Sequence, residues 1–322
     1  MRATWKTFTV AAVCAASWHV SLAQVALVRQ INLRTVPNAG EAIVDCGKGG
    51  SLQRAINVSR LGETIVVSGT CDENVTIPAG KDLLTLNGGG AATINGLNNN
   101  LATISITRRD ITIRGFTVMG GNDGIEVARG GGATIDSNVI RNNGNFGINL
   151  VNGAFATIVN NMVYNNRNAG IAVNSNSSAW IGFLSLSDTI GSPNVITANA
   201  QQGIVTRRGA SAVIVGNDIS DNMANGFRIT ESSYARLSGN SINHNGQNGI
   251  FVEQGSGALL APPPPPTVTE TIFTRPNSTT INNGGFGVWC QVGGYTDGRL
   301  GTIAGANGAK NYSEGCIDSL IP

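Results

Sequence analysis

The chain has 322 residues, of which 12% are charged, 5% are aromatic and 41% are hydrophobic. Its 43 glycines and 37 asparagines make up about a quarter of the chain. This composition is too apolar for a disordered polymer and too poor in helix formers for a helical bundle, and it lacks the glycine at every third position of collagen. Because glycine and asparagine favour tight turns, many short strands joined by sharp corners are expected.

Residues 1–23 have the features of a secretory signal peptide. Arg2 and Lys6 form a basic start, residues 7–20 are mostly apolar, and residues 21–23 provide a small-residue cleavage site. A transmembrane anchor is the alternative, but the apolar stretch is shorter than the roughly 20 residues that span a bilayer. The sequence therefore predicts a secreted or periplasmic protein that keeps no membrane span after signal removal.

Removal of this segment changes the charge balance. It holds two of the 21 basic residues and none of the 19 acidic residues, so residues 24–322 carry a formal net charge of zero. Without a positive field the chain has little to attract a nucleic acid or an acidic membrane surface. Neither is expected as a partner.

The cysteines beyond the signal are even in number: Cys46, Cys71, Cys290 and Cys316. Four cysteines allow three pairings, and their positions favour Cys46 with Cys71 and Cys290 with Cys316. Such disulfides would close each end of the mature chain in an oxidising compartment. A zinc site is the alternative, but no C-x-x-C pair exists and His244 is the only histidine after residue 23, so no metal is predicted.

An internal repeat organises the chain. A glycine followed by an apolar residue recurs at Gly124, Gly147, Gly170, Gly203, Gly226, Gly249 and Gly287. The successive spacings are 23, 23, 33, 23, 23 and 38 residues, which indicates a unit of 23 residues with two insertions.

Each repeat contains three short apolar segments. Apolar residues stand one and three places after the glycine, an alanine and a branched aliphatic residue follow near places nine and eleven, and a third apolar position comes later. Three strands per 23 residues describe one rung of a parallel β-helix. Asparagines recur in two columns, which we interpret as ladders of stacked amides: Asn138, Asn161, Asn194, Asn217 and Asn240; Asn143, Asn166, Asn199, Asn222 and Asn245.

This pattern resembles the right-handed parallel β-helix proteins of the pectate-lyase-like superfamily. The likeness covers the rungs over about 101–290 and the stretch 51–57, which in that family is a short amphipathic helix capping the solenoid. We therefore predict an all-β right-handed parallel β-helix with a short N-terminal capping helix. After the signal peptide, residues 24–322 form a single domain, with an N-cap at about 45–65 and regular rungs at about 66–290.

Two insertions and a C-terminal cap complete this division. The first insertion lies near 183–193, and the second, at 261–276, includes five consecutive prolines. The repeat resumes at Gly287, so the second insertion is interpreted as a protruding loop rather than a domain boundary. Insertions of this kind either build the binding face of a solenoid or form plain surface loops. Residues 290–322 are predicted to form the C-terminal cap.

The resemblance implies carbohydrate as the ligand, but the catalytic motifs of the superfamily are missing. The sequence has no aspartate cluster for calcium and no Asp-Pro-His-Asp run. Asn122 and Asp123 resemble a polygalacturonase motif with one residue missing, but no second pair of aspartates follows one rung later. Glycoside hydrolysis needs two carboxyl groups, so Asp123 is a weak catalytic candidate and a corner residue is the alternative.

Charged residues concentrate on one face in three consecutive rungs: Arg207, Arg208, Arg228, Glu231 and Glu253. Arginines at rung spacing are suited to hold a sugar carboxylate, and the two glutamates are suited to act as acid and base. The alternative is ion pairing between rungs on a solvated face.

Two aromatic residues, Phe251 and Trp289, share one outward column beside these charges. They are suited to stack on sugar rings, although Trp289 stands next to Cys290 and packing of the C-terminal cap is the alternative. We therefore predict an exported protein that binds polysaccharide, with acidic glycans favoured and no cofactor implied. The alternatives are a lyase, hydrolase or epimerase acting on uronate polymers, and a non-catalytic adhesion or surface-structural protein.

Overall fold

A computed structural model describes residues 40–261, 271–279, 282–299, 307, 308, 313 and 316. The predicted signal peptide, most of the proline-rich loop and most of the predicted C-terminal cap lie outside the described residues. Among the described residues, no helix has the length and apolar character needed to span a bilayer.

The N-terminal end is closed by the predicted helix, α1, over Leu52–Val58. Ser51 caps it, because its side chain accepts a hydrogen bond from the backbone N–H of Arg54. The carboxylate of Glu73 accepts the backbone N–H groups of Leu52 and Gln53, so two more free donors of the first turn are satisfied. Leu52 and Ile56 are fully buried, which places the apolar side of the helix on the first rungs.

One strand before this helix was not predicted. Glu41–Asp45 pairs in parallel with Thr64–Ser68, so the sheet begins upstream of the predicted cap. Only Val44 of this strand is buried, which explains why its sequence lacks a clear alternation of buried and exposed residues. A short 3-10 turn, Cys46–Lys48, leads from it towards the helix.

The remaining strands form three faces of a right-handed parallel β-helix. The first face is a nine-stranded sheet: Val75–Ile77, Ile104–Ile106, Ile125–Ala128, Ile148–Val151, Ile171–Asn174, Ile204–Arg207, Phe227–Ile229, Ile250–Glu253 and Val288–Gln291. The second face begins with two strands that precede Val75–Ile77, namely Glu41–Asp45 and Thr64–Ser68. Its other strands each follow one strand of the first face: the start of Thr85–Asn95, the start of Ile111–Met119, Gly132–Asp136, Phe155–Val159, Ser178–Ile181, Ser211–Val215, Tyr234–Ser238, Gly257–Leu260 and Tyr295–Gly298.

The third face completes each rung: Thr70–Cys71, the ends of Thr85–Asn95 and Ile111–Met119, Val139–Arg141, Met162–Tyr164, Val195–Thr197, Asp218–Ser220 and Ser241–Asn243. The strands Thr85–Asn95 and Ile111–Met119 are long enough to turn the corner between the second and third faces. Their pairing shifts register between Asn87 and Ala92, where that corner lies.

Parallel pairing keeps equivalent residues in register from rung to rung. Ile148 pairs with Ile125 below it and Ile171 above it, and Ala156 pairs with Ala133 and Ala179. The inward residues form one continuous core that runs from Leu52 in the helix into the last described rung. The predicted fold and its rungs of about 23 residues are confirmed.

Both asparagine columns are buried ladders, as predicted. In the first, each Nδ2 donates to the Oδ1 of the next rung at 2.8–3.1 Å, from Asn138 up to Asn277. In the second, the same bond measures 2.9–3.2 Å from Asn143 up to Asn307. The backbone N–H of each asparagine donates to the same oxygen, so the amides also satisfy the main chain at the corners.

The two insertions meet on the outside of the second face. Phe183 of the first insertion contacts Phe273 of the second edge to face, with ring centroids 5.0 Å apart. Trp180, an outward residue of the second face, stacks on Phe183 at 5.3 Å. The described residues of the insertions therefore pack against each other, away from the first face.

Both predicted disulfides are present, joining Cys46 to Cys71 and Cys290 to Cys316. Each closes a loop of about one rung, near one end of the described solenoid. The ladder also continues past the predicted limit of the regular rungs, because Tyr295–Gly298 pairs in parallel with Gly257–Leu260.

Candidate functional site

Two places after each repeat glycine, outward residues of the first face form a column with one residue per rung. In chain order the column holds Glu126, Asn149, Ala172, Val205, Arg228, Phe251 and Trp289. Its character changes along the axis, from carboxylate and amide, through small apolar residues, to arginine and aromatic rings. All the charged and aromatic site residues predicted from the sequence lie on this face or at its edge.

Three aromatic rings stack at the C-terminal end of this column. Phe251 and Trp289 pair directly in the sheet, and their rings lie 4.7 Å apart and 18° from parallel. Phe286 stacks on the other side of Trp289 at 5.6 Å and 20°. Strand spacing brings successive side chains of a column to this separation, so parallel rings follow from the register. We call Phe251, Trp289 and Phe286 the aromatic stack.

Arg228 extends this stack by one rung and is held by an ion pair. Its guanidinium lies 6.0 Å from the ring centre of Phe251, within the range of a cation–π contact. Its Nε donates to Oε1 of Glu253 at 2.7 Å, and an Nη donates to the same oxygen. Because Glu253 is buried, it is committed to neutralising Arg228.

The second glutamate is paired as well. Glu231 accepts the Nε of Arg208 at 3.2 Å in an exposed ion pair between neighbouring rungs. An exposed pair of this kind contributes about 0–1 kcal/mol. The described structure therefore brings the five predicted charges together on one face, but it joins two arginines to two glutamates instead of leaving a free acid and base.

Arg207 is the third arginine of the cluster and has a different partner. Its Nε donates to Oδ1 of Asn174 at 2.5 Å, and its guanidinium lies 5.5 Å from the ring centre of Phe146. Burial lowers the pKa of Arg207, and the positive charge of Arg208 lowers it further. Phe146 itself is buried in a small apolar cluster on the outside of the sheet, with Val205 among its members.

A chain of hydrogen bonds links Arg207 to Asp123 across four rungs. Asn174 donates through Nδ2 to Oδ1 of Asn149 at 2.7 Å, and Asn149 donates through Nδ2 to Oδ2 of Asp123 at 2.9 Å. Arg207 can only donate hydrogen bonds and the Asp123 carboxylate can only accept them, so the orientation of the two asparagine amides between them is fixed. We call these four residues the amide chain.

Asp123 is buried and both of its oxygens accept hydrogen bonds. Oδ1 accepts the Nδ2 of Asn145 at 2.9 Å and the backbone N–H of Phe146 at 3.1 Å, while Oδ2 accepts Asn149. Burial raises the pKa of Asp123, and these donors lower it to a smaller extent. This environment describes a residue that organises the corner.

Glu126 lies next to it and differs in its contacts. It is half-buried and has neither a hydrogen bond nor an ion pair among the described residues. Burial raises its pKa, the charge of Asp123 raises it further, and Arg129 lowers it. Glu126 is therefore the carboxyl group on the described first face that remains available for chemistry.

The amide chain leads to a prediction about stability. Replacing Asp123 with asparagine is expected to lower the free energy of unfolding by about 1–3 kcal/mol. The substitution puts an NH₂ group where a carboxylate oxygen accepted a hydrogen bond. The new NH₂ group faces either the backbone N–H of Phe146 and Nδ2 of Asn145 or Nδ2 of Asn149, and in the second case two donors meet somewhere between position 123 and Arg207. Urea unfolding followed by circular dichroism measures the change.

A second substitution provides the control. Combining Asp123→Asn with Arg207→Gln supplies an acceptor at the far end, so that Asn149 and Asn174 can both reverse. The double variant is expected to recover part of the lost stability. Equal stability of the single variant and the wild type would show that the orientation of the amides has no energetic weight.

Several residues of this face were not predicted from the sequence. Phe146 and Phe286 each stand directly before a repeat glycine. Asp123 stands at the same position before Gly124, so this position was the signal in the sequence that could have assigned both phenylalanines to the face. Asn149 and Asn174 occupy different columns, so the repeat did not bring them together.

These features define a disulfide-capped, right-handed parallel β-helix with a mixed polar and aromatic face. More particularly, residues 53–261 match the family described as periplasmic copper-binding protein (NosD). This match covers more than half of the chain, and the chain belongs to the NosD family.

Individual proteins share either a short segment or the fold. A cell surface glycoprotein of Methanothermus fervidus is 36% identical over 78 residues, which is 24% of this chain and 13% of the glycoprotein. The pectate lyase Pel9A aligns over 87% of this chain and 80% of its own, with a TM-score of 0.55 and 15% identity. The A-module of the Azotobacter vinelandii mannuronan C-5 epimerase AlgE6 aligns over 87% of this chain and 100% of its own, with a TM-score of 0.45 and 14% identity. The likeness to Pel9A shows a common fold.

Among the described residues, the donors that copper prefers do not converge. Copper is bound by imidazole nitrogen and by thiolate or thioether sulfur. Beyond residue 23 the sequence has one histidine, His244, and methionines at 119, 162 and 223, on separate rungs. His244 is exposed at a corner. The four cysteines are consumed in the two disulfides.

One group of potential metal ligands occurs among the described residues, formed by Cys46, Cys71 and Glu73. Its two sulfur atoms are bonded to each other, and the Glu73 carboxylate caps the N-terminal helix. The residues present therefore do not fit a copper centre, and no step of the function is assigned to copper.

Proposed function

We propose that this protein binds polysaccharide along the first face of its β-helix, outside the cytoplasm and without chemical turnover. The observation that carries the proposal is the aromatic stack of Phe251, Trp289 and Phe286, continued by Arg228 on the same column. Sugar rings have apolar faces and hydroxyl edges, so they match a surface that combines parallel aromatic rings with a few polar groups.

The proposed location is supported by chemistry as well as by family. Two disulfides, each closing about one rung, persist in an oxidising compartment. The family description places its members in the periplasm. The predicted signal peptide at 1–23 fits this location.

Binding is favoured over catalysis because the predicted acid and base are occupied. Glu253 is buried against Arg228, and Glu231 is paired with Arg208. Asp123 is buried and accepts hydrogen bonds from three donors. Glycoside hydrolysis needs two carboxyl groups flanking one bond, and the described first face offers Glu126 without a free second carboxylate beside it.

An enzyme of the lyase, hydrolase or epimerase class is the second candidate, and the half-buried Glu126 is the observation that favours it. A carboxyl group whose pKa is raised by burial is suited to act as a general acid or base. Adhesion or a structural role at the cell surface is consistent with binding without turnover.

The test is a screen of the mature protein, residues 24–322, against neutral and acidic polysaccharides by affinity electrophoresis. We expect retardation by at least one polymer. The double variant Arg228→Ala with Glu253→Ala leaves the net charge unchanged. This variant is expected to weaken the retardation, because it removes the cation–π contact that supports the ring of Phe251. Tyr234→Ala alters an exposed aromatic residue on the second face and serves as the matched control.

The same polymers are assayed for new reducing ends, unsaturated ends and epimerised residues. No retardation by any polymer would contradict the proposal. Product formation that disappears in Glu126→Gln would replace the binding function with the enzymatic one.

A further inference from the structure

The charges of the first face are largely consumed by one another. Arg228 gives two of its nitrogens to Glu253, and Arg208 gives its Nε to Glu231. Recognition of a sugar carboxylate by arginine relies on a free, planar pair of N–H donors. These two guanidinium groups are engaged by side chains of the protein itself.

Arg207 is similarly engaged. Its Nε is bonded to Asn174 within the amide chain, and its cation lies against the ring of Phe146. Half-buried in this position, it serves the packing of the outer surface. The arginines thus give weak support to the acidic glycan that the sequence favoured.

A shallow groove of about 330 Å³ lies beside the outer end of the aromatic stack. Two aromatic rings, Phe286 and Trp289, line one part of it, and the remainder is formed by glycines and the amides of Gln247 and Asn248. Within the described part of the chain, no charged side chain lines the groove. Aromatic rings beside neutral amides present apolar faces and hydrogen-bonding groups without a charge.

The two amides have different roles. Asn248 is buried and fully used, since its Nδ2 donates to Asn225 and its Oδ1 accepts the backbone N–H of Phe286, both at 2.8 Å. It is a positioning residue for the Phe286 ring. Gln247 is exposed and its Oε1 accepts the Nδ2 of Asn225 at 3.1 Å, while its Nε2 has no partner among the described residues.

We propose that this groove is a subsite for an uncharged sugar ring, which stacks on the outer face of Phe286 beside the edge of Trp289 and accepts a hydrogen bond from Nε2 of Gln247 through a hydroxyl oxygen. The ligand class is therefore a neutral polysaccharide built of hexopyranose units. This inference rests on the proposed binding function and specifies its substrate. Binding to such a polymer depends little on salt, because no ion pair is formed.

The experiment compares galactomannan and β-glucan with polygalacturonate and alginate, using the mature protein, Trp289→Ala and Gln247→Ala. We expect the neutral polymers to bind at low and high salt, and Trp289→Ala to weaken that binding about tenfold or more. Gln247→Ala is expected to weaken it to a smaller extent. Tyr234→Ala is the control, and circular dichroism checks that each variant is folded.

The outcomes separate this inference from the proposed function. Binding to acidic polymers alone, reduced by Arg207→Ala and by high salt, would overturn the neutral subsite and leave polysaccharide binding in place. Neutral binding that neither Trp289→Ala nor Gln247→Ala changes would also overturn the subsite. If no polymer binds, the proposed function fails together with it. Should Trp289→Ala not fold, the exposed Gln247 variant still decides the matter.

Discussion

Replacing Asn217 with alanine is expected to lower the free energy of unfolding by about 4 kcal/mol. Its Oδ1 accepts both the backbone N–H and the Nδ2 of Asn194, at 3.0 and 2.8 Å. Its Nδ2 donates to Asn240 and to the carbonyl groups of Ile181 and Val215, each at 3.1 Å. Alanine removes these five hydrogen bonds, each of which contributes about 0.5–1.5 kcal/mol. Asn194 Nδ2 keeps the carbonyl group of Ile158 and Asn240 Oδ1 keeps the backbone N–H of residue 217, so those two groups stay paired.

Urea unfolding followed by circular dichroism measures this loss. The matched control is Asn100→Ala, an exposed asparagine in the turn before the rung that starts at Ile104. Its unfolding midpoint is expected to stay close to that of the wild type. If the Asn217 variant unfolded at the same midpoint as this control, the ladder would not be a main source of stability.

Replacing Gly226 with alanine is expected to cost about 3 kcal/mol, although both residues are small. A Cβ atom at this position would lie 2.4 Å from Cγ2 of Ile242, 2.8 Å from Nδ2 of Asn245 and 2.8 Å from the carbonyl oxygen of Gly249. These atoms belong to the core, the second asparagine ladder and the next rung, so none can move without disturbing a stacked neighbour. Overpacking of this kind typically costs about 1–3 kcal/mol and occasionally more.

The control for this substitution is Gly144→Ala, where the nearest atom to the new Cβ would be 3.5 Å away. The two variants differ in the space available and not in the chemistry added. Thermal unfolding of both is expected to show a large loss for the Gly226 variant and little change for the Gly144 variant. A Gly226 variant as stable as the Gly144 variant would mean that the repeat glycine is not required by packing.

The rungs were predictable because the same packing and hydrogen-bonding requirements recur in successive rungs. The crowding that requires glycine at Gly226 recurs at Gly147 and at the other repeat glycines from Gly124 to Gly249, and buried amides such as Asn217 recur at the same place. Each of these requirements therefore produces a periodic pattern of residues in the sequence. Strand Glu41–Asp45 precedes the periodic region and buries one residue, so it produces no such pattern.

The site was less predictable because its contacts cross between columns. The positions of Arg228 and Glu253 on one face followed from the period, but whether they form a pair or face a ligand depends on side-chain torsions. The amide chain runs from Asp123, one place before its glycine, to Asn149, two places after the next, and so leaves no periodic pattern. Phe286 joins the aromatic stack from the corner preceding the strand of Trp289.

The uniform direction of the two asparagine ladders gives the solenoid a polar axis. In every step from Asn138 to Asn277 the amide nitrogen points towards the C-terminal rungs and the oxygen towards the N-terminal rungs. The two ends of this ladder are consequently not equivalent: its first member, Asn138, accepts the backbone N–H of Phe116 through its oxygen, whereas the amide donors point towards the C-terminal rungs. A rung joins such a ladder only with its amide in the same direction, because a reversed amide would place two donors against each other on one side and two acceptors on the other.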